Sequence, residues 1–320
     1  LAPDEAAAVL EQVQLRIRAS SRFERAAQML FTDAGLQQST HPMVASHRAE
    51  RFRHCALIAD LGCGLGSVTL ALARTSGHVI AMDRDPIRIK FARRNTSVYG
   101  VAERVTFFQA DILALPFEPS DMHLFCDPGR RNESGRRVFR PEDYEPSLPF
   151  LKQRLAGAKG AAIKVAPGIA YTSLSWVDEV EIVSLKNEVK EATLWCGEQA
   201  TPGVRRRATL LPSGDTITDK TTLTTETCPV KPTGQYLFEP DGAVIRAGLV
   251  QQVAITLDLW QLDRRIAYLS GDNPVASPLV QSFRIQEELA FNQKTVRRRL
   301  RELGVGILEI KKRGVAFDPD

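Results

Sequence analysis

The sequence predicts an α/β fold in which helices cover both faces of a parallel sheet, with helices before the sheet and a smaller α+β domain after it. Two observations favour this fold. Between residues 56 and 185, short apolar runs alternate with amphipathic segments, a pattern typical of strand–helix–strand units. The first apolar run ends in a glycine-rich turn that opens a helix, and a chain of 320 residues exceeds most single cores.

The first 55 residues are predicted to be helical. Apolar residues recur at helical spacing from Pro3 to about Glu24, and a second helix is expected from Pro42 to Phe52. Ala56–Asp60 follows as a buried strand, because it is a short apolar run that ends in glycines. The later strands of the sheet are predicted at His78–Met82, Val105–Gln109, Met122–Cys126, Ala161–Val165 and Val180–Leu185, and its helices at Val68–Arg74, Pro86–Tyr99 and Ser147–Leu155.

The pattern changes after about residue 190. Ala192–Cys196 and Arg206–Leu211 are expected to pair as an antiparallel hairpin, and Ser213–Thr233 has the composition of a linker. We therefore expect a helical segment at 1–55, a cofactor-binding domain at 56–228 and a C-terminal domain at 234–320. The last domain is predicted to contain a helix at Ala247–Leu257, a polar loop at Ser270–Pro278, a basic helix at Asn292–Glu302 and a strand from Gly306 to Arg313.

The composition is that of a globular protein, with 43% hydrophobic and 25% charged residues. No stretch approaches the ~20 apolar residues that cross a bilayer, and no leader sequence is visible, so we expect a cytoplasmic protein without membrane contact. The five cysteines and five scattered histidines predict reduced thiols and no metal site. A net charge of +4 is too small to indicate a nucleic-acid partner unless it is unevenly distributed, and nothing predicts the oligomeric state.

The glycine-rich turn is the first candidate site. Gly62, Gly64 and Gly66 lie between a predicted strand and a predicted helix, where glycines let the backbone approach a ligand closely. Asp60 ends the strand that precedes them. Such turns also bind NAD or flavin, and some are only tight turns, so the turn alone does not identify the ligand.

Acidic residues after the next two strands narrow the choice. Asp83, followed by Arg84, ends the second strand, where a carboxylate can accept hydrogen bonds from both ribose hydroxyls. Asp111 ends the third strand and is placed to accept a hydrogen bond from an adenine amino group, with Ile112 packing on the ring. NAD-binding proteins share the acid of the second strand, but three acids including Asp60 favour S-adenosylmethionine as the cofactor.

Two acids in this region also have a structural interpretation. Asp111 could be an ordinary turn or helix-capping carboxylate, which is common after a strand. Asp85 stands directly before Pro86, and we predict that it only caps the helix that follows.

The run Val79-Ile80-Ala81-Met82-Asp83-Arg84-Asp85-Pro86, followed by Tyr99-Gly100-Val101, resembles class I methyltransferases related to trimethylguanosine synthase. Upstream, Phe31–Thr40 is similar to the segment that in such enzymes helps to close over the cofactor. The resemblance covers roughly residues 30 to 130. It implies the Rossmann-like class I methyltransferase fold, S-adenosylmethionine as cofactor and a methyl acceptor in RNA.

The motif after the fourth predicted strand departs from that family. Amino-methylating relatives carry a polar residue, two prolines and an aromatic there, and this chain has Asp127-Pro128-Gly129. The resemblance implies that Asp127 and Pro128 are the catalytic residues, with the carboxylate accepting a hydrogen bond from the target amine. A base-stacking aromatic would have to come from elsewhere, such as Phe139 or Tyr144, or else the substrate is not a flat base.

A basic segment follows the motif. Arginines there could hold the phosphates of RNA or an anionic small molecule, or they could pair with the acids that come after them. The predicted substrate-binding residues are Arg130, Arg131, Arg136 and Arg137.

Most of the chain resembles a bacterial group of methyltransferases with a C-terminal THUMP-like domain. The resemblance is carried by Arg136–Tyr144, Ile163–Ile169, Tyr236–Gly248 and Ile310–Gly314. It implies that residues 234–320 form such a domain. Lys164, within the fifth strand, either faces the substrate cleft or forms an ion pair at the edge of the sheet, and the ion pair is the commoner role.

The predicted C-terminal helix is strongly basic. Its cations surround an apolar stripe, so part of the charge must face outward, where it would bind RNA phosphates or serve only solubility and ion pairing with nearby glutamates. RNA is therefore the predicted partner. The alternatives are a small anionic or protein substrate, or a non-catalytic module that binds S-adenosylmethionine. The cations are Lys294, Arg297, Arg298, Arg299 and Arg301.

Overall fold

The computed structural model describes residues 2–115, 117–129, 138, 140–170, 174–220 and 228–311. Within those residues, nine strands form one sheet in the order β3-β2-β1-β4-β5-β7-β6-β8-β9. The strands are β1 (Leu57–Leu61), β2 (His78–Asp83), β3 (Val105–Gln109), β4 (His123–Cys126), β5 (Gly160–Val165), β6 (Glu179–Leu185), β7 (Glu188–Gly197), β8 (Arg206–Leu211) and β9 (Asp215–Thr218).

Strands β1 to β5 are parallel to one another, as the sequence predicted. A parallel sheet needs helices on both faces, and its central strands then contain few exposed positions. Strand β5 fits that rule, since all six of its residues are buried. The α/β fold with a parallel central sheet, predicted from the sequence, is thereby confirmed.

Helices flank the sheet, and several helices of the chain begin at side-chain caps that the sequence supplies. Asp85 accepts hydrogen bonds from the backbone of Ile87 and Arg88, which confirms its predicted capping role. The first helix ends at Ala19 rather than near Glu24. The helices are α1 (Pro3–Ala19), α2 (Asp33–Gln38), α3 (Pro42–Glu50), α4 (Ser67–Thr75), α5 (Pro86–Val98), α6 (Leu148–Arg154), α7 (Gly242–Ala247), α8 (Val250–Thr256) and α9 (Gln293–Glu302).

The predicted hairpin between Ala192–Cys196 and Arg206–Leu211 is wrong. Strand β7 pairs antiparallel with β5 and with β6, and β8 lies on the other side of β6, parallel to it. The turn of the real hairpin is at Lys186 and Asn187, both with positive φ. Neither residue is a glycine, so the usual turn signal was missing there.

Helix α3 is fastened to β6 and β7 by buried charges. His47 Nε2 lies 2.8 Å from Glu181 Oε1, and Arg51 Nη1 lies 2.8 Å from Glu179 Oε2. Arg48 pairs with Glu191, and both side chains are at most 3% exposed. Because removing one partner of a buried pair typically costs 3–5 kcal/mol, these contacts fix the helix over the sheet.

The C-terminal residues form a second, antiparallel sheet, in the order β11-β12-β10-β13. Helix α7 packs against β6 and β8, and one buried apolar cluster includes residues from both sheets. The strands are β10 (Tyr236–Pro240), β11 (Trp260–Gln261), β12 (Leu269–Gly271) and β13 (Val280–Arg284).

Several C-terminal predictions need correction. The expected linker at Ser213–Thr233 contains β9. The helix expected at Ala247–Leu257 begins later, as α8 at Val250, and follows a separate helix, α7, that ends at Ala247 before Gly248 with φ +68°. The described part of the expected last strand, residues 306–311, is not a strand. The basic helix at Asn292–Glu302 is confirmed as α9 with Asn292 as its cap. No helix among the described residues has both the length and the apolar character needed to span a bilayer.

Candidate functional site

The carboxyl ends of β1, β2 and β4 are joined at one edge of the sheet. The backbone N–H groups of Gly62 and Cys63 both donate to Met82 O, at 2.9 and 2.8 Å. On the other side, Asp127 N lies 3.4 Å from Leu61 O. The glycine turn is therefore held between the residues that follow β2 and those that follow β4.

The three glycines of the turn have different surroundings, although each has a positive φ. A Cβ atom at Gly62 would lie 3.5 Å from Asp127 O and 3.7 Å from Ile112 Cδ1, so this glycine faces both neighbouring strand ends. A Cβ atom at Gly64 would meet nothing within 4 Å. Gly66 approaches α5, where the same atom would lie 3.1 Å from Ala92 Cβ. Gly64 thus leaves room for a ligand, Gly62 lies against Asp127 and Ile112, and Gly66 permits helix packing.

Asp83 supports the glycine turn. Its side chain is almost fully buried, Oδ2 accepts a hydrogen bond from Gly64 N at 3.0 Å, and Oδ1 accepts one from Asp85 N at 3.0 Å. Each carboxylate oxygen has a second lone pair, so Asp83 retains acceptor capacity for a ligand. Arg84 lies on the rim, 65% exposed, where it pairs with Glu145. The hydrogen bond and charge of Glu145 raise the pKa of Arg84.

Asp111 is exposed beyond the end of β3. Its Oδ1 accepts a hydrogen bond from Leu113 N at 2.9 Å and so caps the short helical turn at Ile112–Ala114. The capping interpretation therefore holds. Ile112 also lies beside the glycine turn, so Asp111 and Ile112 border the same edge as Gly62.

Asp60 lies beneath this edge and is fully buried. Oδ2 accepts a hydrogen bond from Thr69 Oγ1 at 2.5 Å, and Oδ1 has no hydrogen-bond partner among the described residues. Burial raises the pKa of Asp60 to about 7, with the charges of Asp127 and Asp83 acting in the same direction and Thr69 and Arg48 opposing them. An unpartnered carboxylate oxygen at this depth is suited to a cationic group such as an ammonium.

These observations test whether the residues fit S-adenosylmethionine. The turn leaves open space at Gly64, the Asp83 carboxylate borders it, and the orphaned buried oxygen of Asp60 lies below it. An amino acid joined to a nucleoside through a sulfonium needs those three features: space along the backbone, acceptors for hydroxyls and an acceptor for the ammonium. The residues therefore fit the cofactor predicted from the sequence.

Asp127 directly follows β4 and lies beside the glycine turn. Its side chain is 26% exposed, and Oδ2 accepts a hydrogen bond from Lys164 Nζ at 2.6 Å. Lys164 is 7% exposed, so the ion pair expected for it is confirmed. Pro128 is buried, and Gly129 exchanges backbone hydrogen bonds of 2.7 and 2.9 Å with Glu145. The two ends of the intervening loop are thus held together next to Asp127.

Some predicted substrate residues find no support in the structure. Tyr144 is 3% exposed and lies in the core, so the idea that it stacks on a substrate base is wrong. The remaining candidates, Phe139 and the four arginines Arg130, Arg131, Arg136 and Arg137, lie outside the described residues.

Arg48 was not anticipated from the sequence. Its guanidinium lies over the Phe125 ring, 4.5 Å from the centroid, and Nε and Nη1 have no hydrogen-bond partner among the described residues. It pairs with Glu191, which is 143 residues away in the chain. No local pattern signals such a contact, so only the fold brings Arg48 to the region of Asp60.

Comparison with known proteins finds separate family matches for two parts of the chain. A methyltransferase-domain family matches residues 58–128, and a family of THUMP-like domains matches residues 280–320. An uncharacterised S-adenosylmethionine-dependent methyltransferase of Mycobacterium tuberculosis is 38% identical over 326 residues, covering 99% of this chain and 88% of that protein. Trimethylguanosine synthase of Schizosaccharomyces pombe is 36% identical over 98 residues, covering 28% of this chain and 42% of that protein.

The fold has a match over nearly the whole chain. The crystal structure of a methyltransferase candidate from Porphyromonas gingivalis W83 superposes with a TM-score of 0.79, covering 94% of this chain and 79% of that one. Sequence identity between the two is 22%, so the likeness concerns the fold alone.

Proposed function

Because this chain belongs to the S-adenosylmethionine-dependent methyltransferases, we propose that it transfers the methyl group to a nitrogen of RNA. The division expected from the sequence gives each part a task. Residues 1–55 cover the sheet, residues 56–228 bind the cofactor and orient the acceptor, and residues 234–320 hold the RNA.

The cofactor is assigned to the shared edge of β1, β2 and β3. Asp83 binds the ribose hydroxyls, Asp111 and Ile112 contact the adenine, and Asp60 Oδ1 accepts from the ammonium of the methionyl part. Gly62 and Gly64 allow close approach, Gly66 seats α4 against α5, and Arg84 closes the rim with Glu145. When bound, the cofactor supplies a methyl group that is already strongly electrophilic, so the protein's main task is alignment.

The acceptor is assigned to Asp127 and the backbone at Pro128. Asp127 is the partly exposed carboxylate beside the glycine turn, and one of its oxygens is committed to Lys164. The other oxygen can accept a hydrogen bond from an N–H group and so orient the nitrogen lone pair towards the methyl carbon.

The observation that carries the RNA assignment is the charge pattern of α9. Lys294, Arg297, Arg298 and Arg301 follow the spacing i, i+3, i+4, i+7, which places them on one helix face. All four are exposed, and within the described residues Lys294, Arg297 and Arg301 make no ion pair. The predicted pairing with Glu287 involves Arg299, on another face. Phosphates spaced along an RNA backbone suit such a row of cations.

The direct test supplies labelled S-adenosylmethionine and total RNA from a strain of the source organism that lacks this gene. We expect label to enter RNA, and nuclease digestion to place it on a base nitrogen. Label found only on protein or on small molecules would reject the RNA assignment and favour one of the other acceptor classes. Failure to bind S-adenosylmethionine at all would instead indicate a non-catalytic module.

A second experiment tests the basic face. Replacing Lys294 and Arg301 by Glu should weaken RNA binding. The slope of log K for RNA binding against log salt concentration should fall in magnitude by about two, since each phosphate contact contributes about one unit of slope. The matched control replaces Lys90 and Arg94, two exposed cations one turn apart on α5, by Glu. Equal losses in both variants would mean that α9 has no special role.

A further inference from the structure

Lys164 and Asp127 occupy adjacent positions on neighbouring strands. Cys126 on β4 pairs with Ile163 on β5, and the two strands are parallel. The next residue of each strand is therefore side by side with its neighbour, and Lys164 and Asp127 meet across the carboxyl edge of the sheet. Their contact, 2.6 Å from Nζ to Oδ2, is set by the sheet register rather than by a loop.

Lys164 and Asp127 are buried to different extents. The more deeply buried of the two has the greater need of its partner's charge. Lys164 is 7% exposed and Asp127 is 26% exposed. A lysine this deep needs a counter-charge, because desolvating an ammonium costs several kcal/mol. On β7, the neighbouring strand on the other side of β5, Thr193 lies opposite Lys164 and is buried and uncharged. Asp127 is the carboxylate within ion-pair distance of Lys164 among the described residues.

The pair also determines how Asp127 presents itself to the cleft. The torsion that rotates a carboxylate about its Cβ–Cγ bond is soft, so a lone aspartate samples many orientations. Anchoring Oδ2 to a lysine that is itself fixed by a β-strand removes this freedom. Oδ1 is then the oxygen left for an incoming group.

We propose that Lys164 is a positioning residue that fixes the Asp127 carboxylate, so that Oδ1 alone receives the N–H group of the methyl acceptor. This rests on the acceptor role assigned to Asp127 under the proposed function. It requires that the acceptor nitrogen assigned under the proposed function carry hydrogen, because a hydrogen-free acceptor atom offers nothing for Oδ1 to accept. Lys164 itself touches neither the acceptor nor the cofactor.

The test combines substitutions at both positions and counts all transferred label, whatever its acceptor. Wild type, Lys164→Met, Lys164→Arg, Asp127→Asn, Asp127→Ala and the double variant Lys164→Met/Asp127→Asn are supplied with labelled S-adenosylmethionine and a desalted extract of cells that lack the gene. The matched control is Lys159→Met. Lys159 directly precedes the same strand at its opposite end, is 46% exposed and lies 3.8 Å from Asp121.

Lys164→Met should lower kcat about 10- to 100-fold with less than about a threefold change in the apparent KM for the extract, because misalignment affects the transition state. Affinity for S-adenosylhomocysteine, measured by calorimetry, should stay within about threefold and so report that the variant is folded. Lys164→Arg should recover most of the lost rate, and Lys159→Met should match wild type.

The double variant separates positioning from general stabilisation. If Lys164 acts through Asp127, adding Lys164→Met to Asp127→Asn changes kcat by less than about threefold, whereas independent effects would multiply. Multiplying effects, or full activity of Lys164→Met while Asp127→Asn is impaired, would overturn the positioning role alone. Full activity of Asp127→Ala would refute the acceptor assignment under the proposed function, because Ala removes both oxygens whereas the amide oxygen of Asp127→Asn can still accept a hydrogen bond.

Discussion

Asp83 and Asp85 are two carboxylates two residues apart, and they have different tasks. Asp83 contacts Gly64 N and borders the proposed cofactor site, whereas Asp85 caps α5 through Ile87 and Arg88. Substituting Ala for Asp83 should weaken S-adenosylhomocysteine binding about 100-fold, since two ribose hydrogen bonds to a charged acceptor and the support of the turn are lost together. Calorimetric titration measures the loss.

The capping residue serves as the control for Asp83. Replacing Asp85 by Ala should reduce stability by about 1 kcal/mol, the usual cost of losing an N-cap, while changing the affinity less than about threefold. Comparable losses of affinity in the two variants would indicate that both act only by holding the local backbone, and the ribose assignment would fail.

The raised pKa of Asp60 leads us to expect that a proton is released when the cofactor binds. Its pKa, raised by burial to about 7, leaves about half of the free protein protonated at pH 7. An ammonium placed against Oδ1 favours the carboxylate, so binding of S-adenosylhomocysteine should release about half a proton at pH 7, more near pH 6 and almost none near pH 9. Calorimetry in buffers of different ionisation enthalpy measures this number. An unchanged release from Asp60→Asn would remove Asp60 from the ammonium site.

The same raised pKa has a consequence for stability. A folded-state pKa above the unfolded value means that the folded protein binds the extra proton between about pH 4 and 7, so Asp60 makes the fold less stable as pH rises through that window. Asp60→Asn should remove this part of the pH dependence, and denaturant unfolding at pH 5 and pH 8 checks it. A steeper loss of stability in the variant would contradict the sign.

For single residues, the sequence predicted structural positions correctly where a residue type has a specific local role, such as a glycine in a turn or an aspartate at a helix cap. The glycine turn, the Asp85 cap and the strand-end acids could be placed from spacing alone, because their partners lie close in the chain or at the same sheet edge. The pairing of Arg48 with Glu191 could not, and neither could the partner of Lys164, because the order of the strands decides both contacts.

Among the secondary-structure elements, α3 depends most on long-range charge. Glu181 is fully buried and receives hydrogen bonds from His47, Trp195 and Thr209. Burial works to raise its pKa, but the hydrogen bond and charge of His47 and the charge of Arg51 prevail and lower the pKa to about 2. A lowered carboxylate pKa contributes stability above about pH 4.5 that is lost as pH falls towards 2.

Glu181→Gln should therefore destabilise the protein by about 3 kcal/mol at pH 7. The difference from wild type should shrink as pH falls from about 4.5 to 2, because wild-type Glu181 then becomes neutral as well. Glu188→Gln, on the exposed end of β7, is the control and should have almost no effect. Urea unfolding across this pH range measures all three proteins, and a constant difference down to pH 2 would show that charge is not the cause.

The strands illustrate the limit of sequence patterns at the level of elements. Strands β1 to β5 were predicted because each is a short apolar run that ends in glycine, aspartate or proline. Strands β6, β7 and β8 are also largely buried and were recognised in part, but the pairing of β7 with β8 was assigned wrongly. Burial determines that a segment is a strand, whereas the partner of an interior strand depends on contacts that the pattern does not contain.

For the whole molecule, the decisive feature is the packing of α7 against β6 and β8. The sequence pattern placed a boundary between residues 228 and 234, and a single apolar cluster crosses that boundary, with Val244 of α7 fully buried in it. A boundary in sequence composition therefore need not divide the core. The packing of α7 therefore couples the C-terminal sheet to the central sheet.

Val244→Ala should test this coupling. Removing two methyl groups from a buried position costs about 2 kcal/mol, and because the cluster is shared, the loss should appear equally in both sheets. Hydrogen exchange can follow β8 and β10 separately, and both should lose protection together, while the exposed control Val230→Ala leaves them unchanged. S-adenosylhomocysteine bound at the proposed site, at the carboxyl end of β1, should then raise the protection of β10 as well as that of β8. The reason is that a ligand which binds only the folded state stabilises the whole cooperative unit. Protection gained in the central sheet alone would mean that the C-terminal sheet opens independently, and RNA held there could not report on the state of the cofactor site.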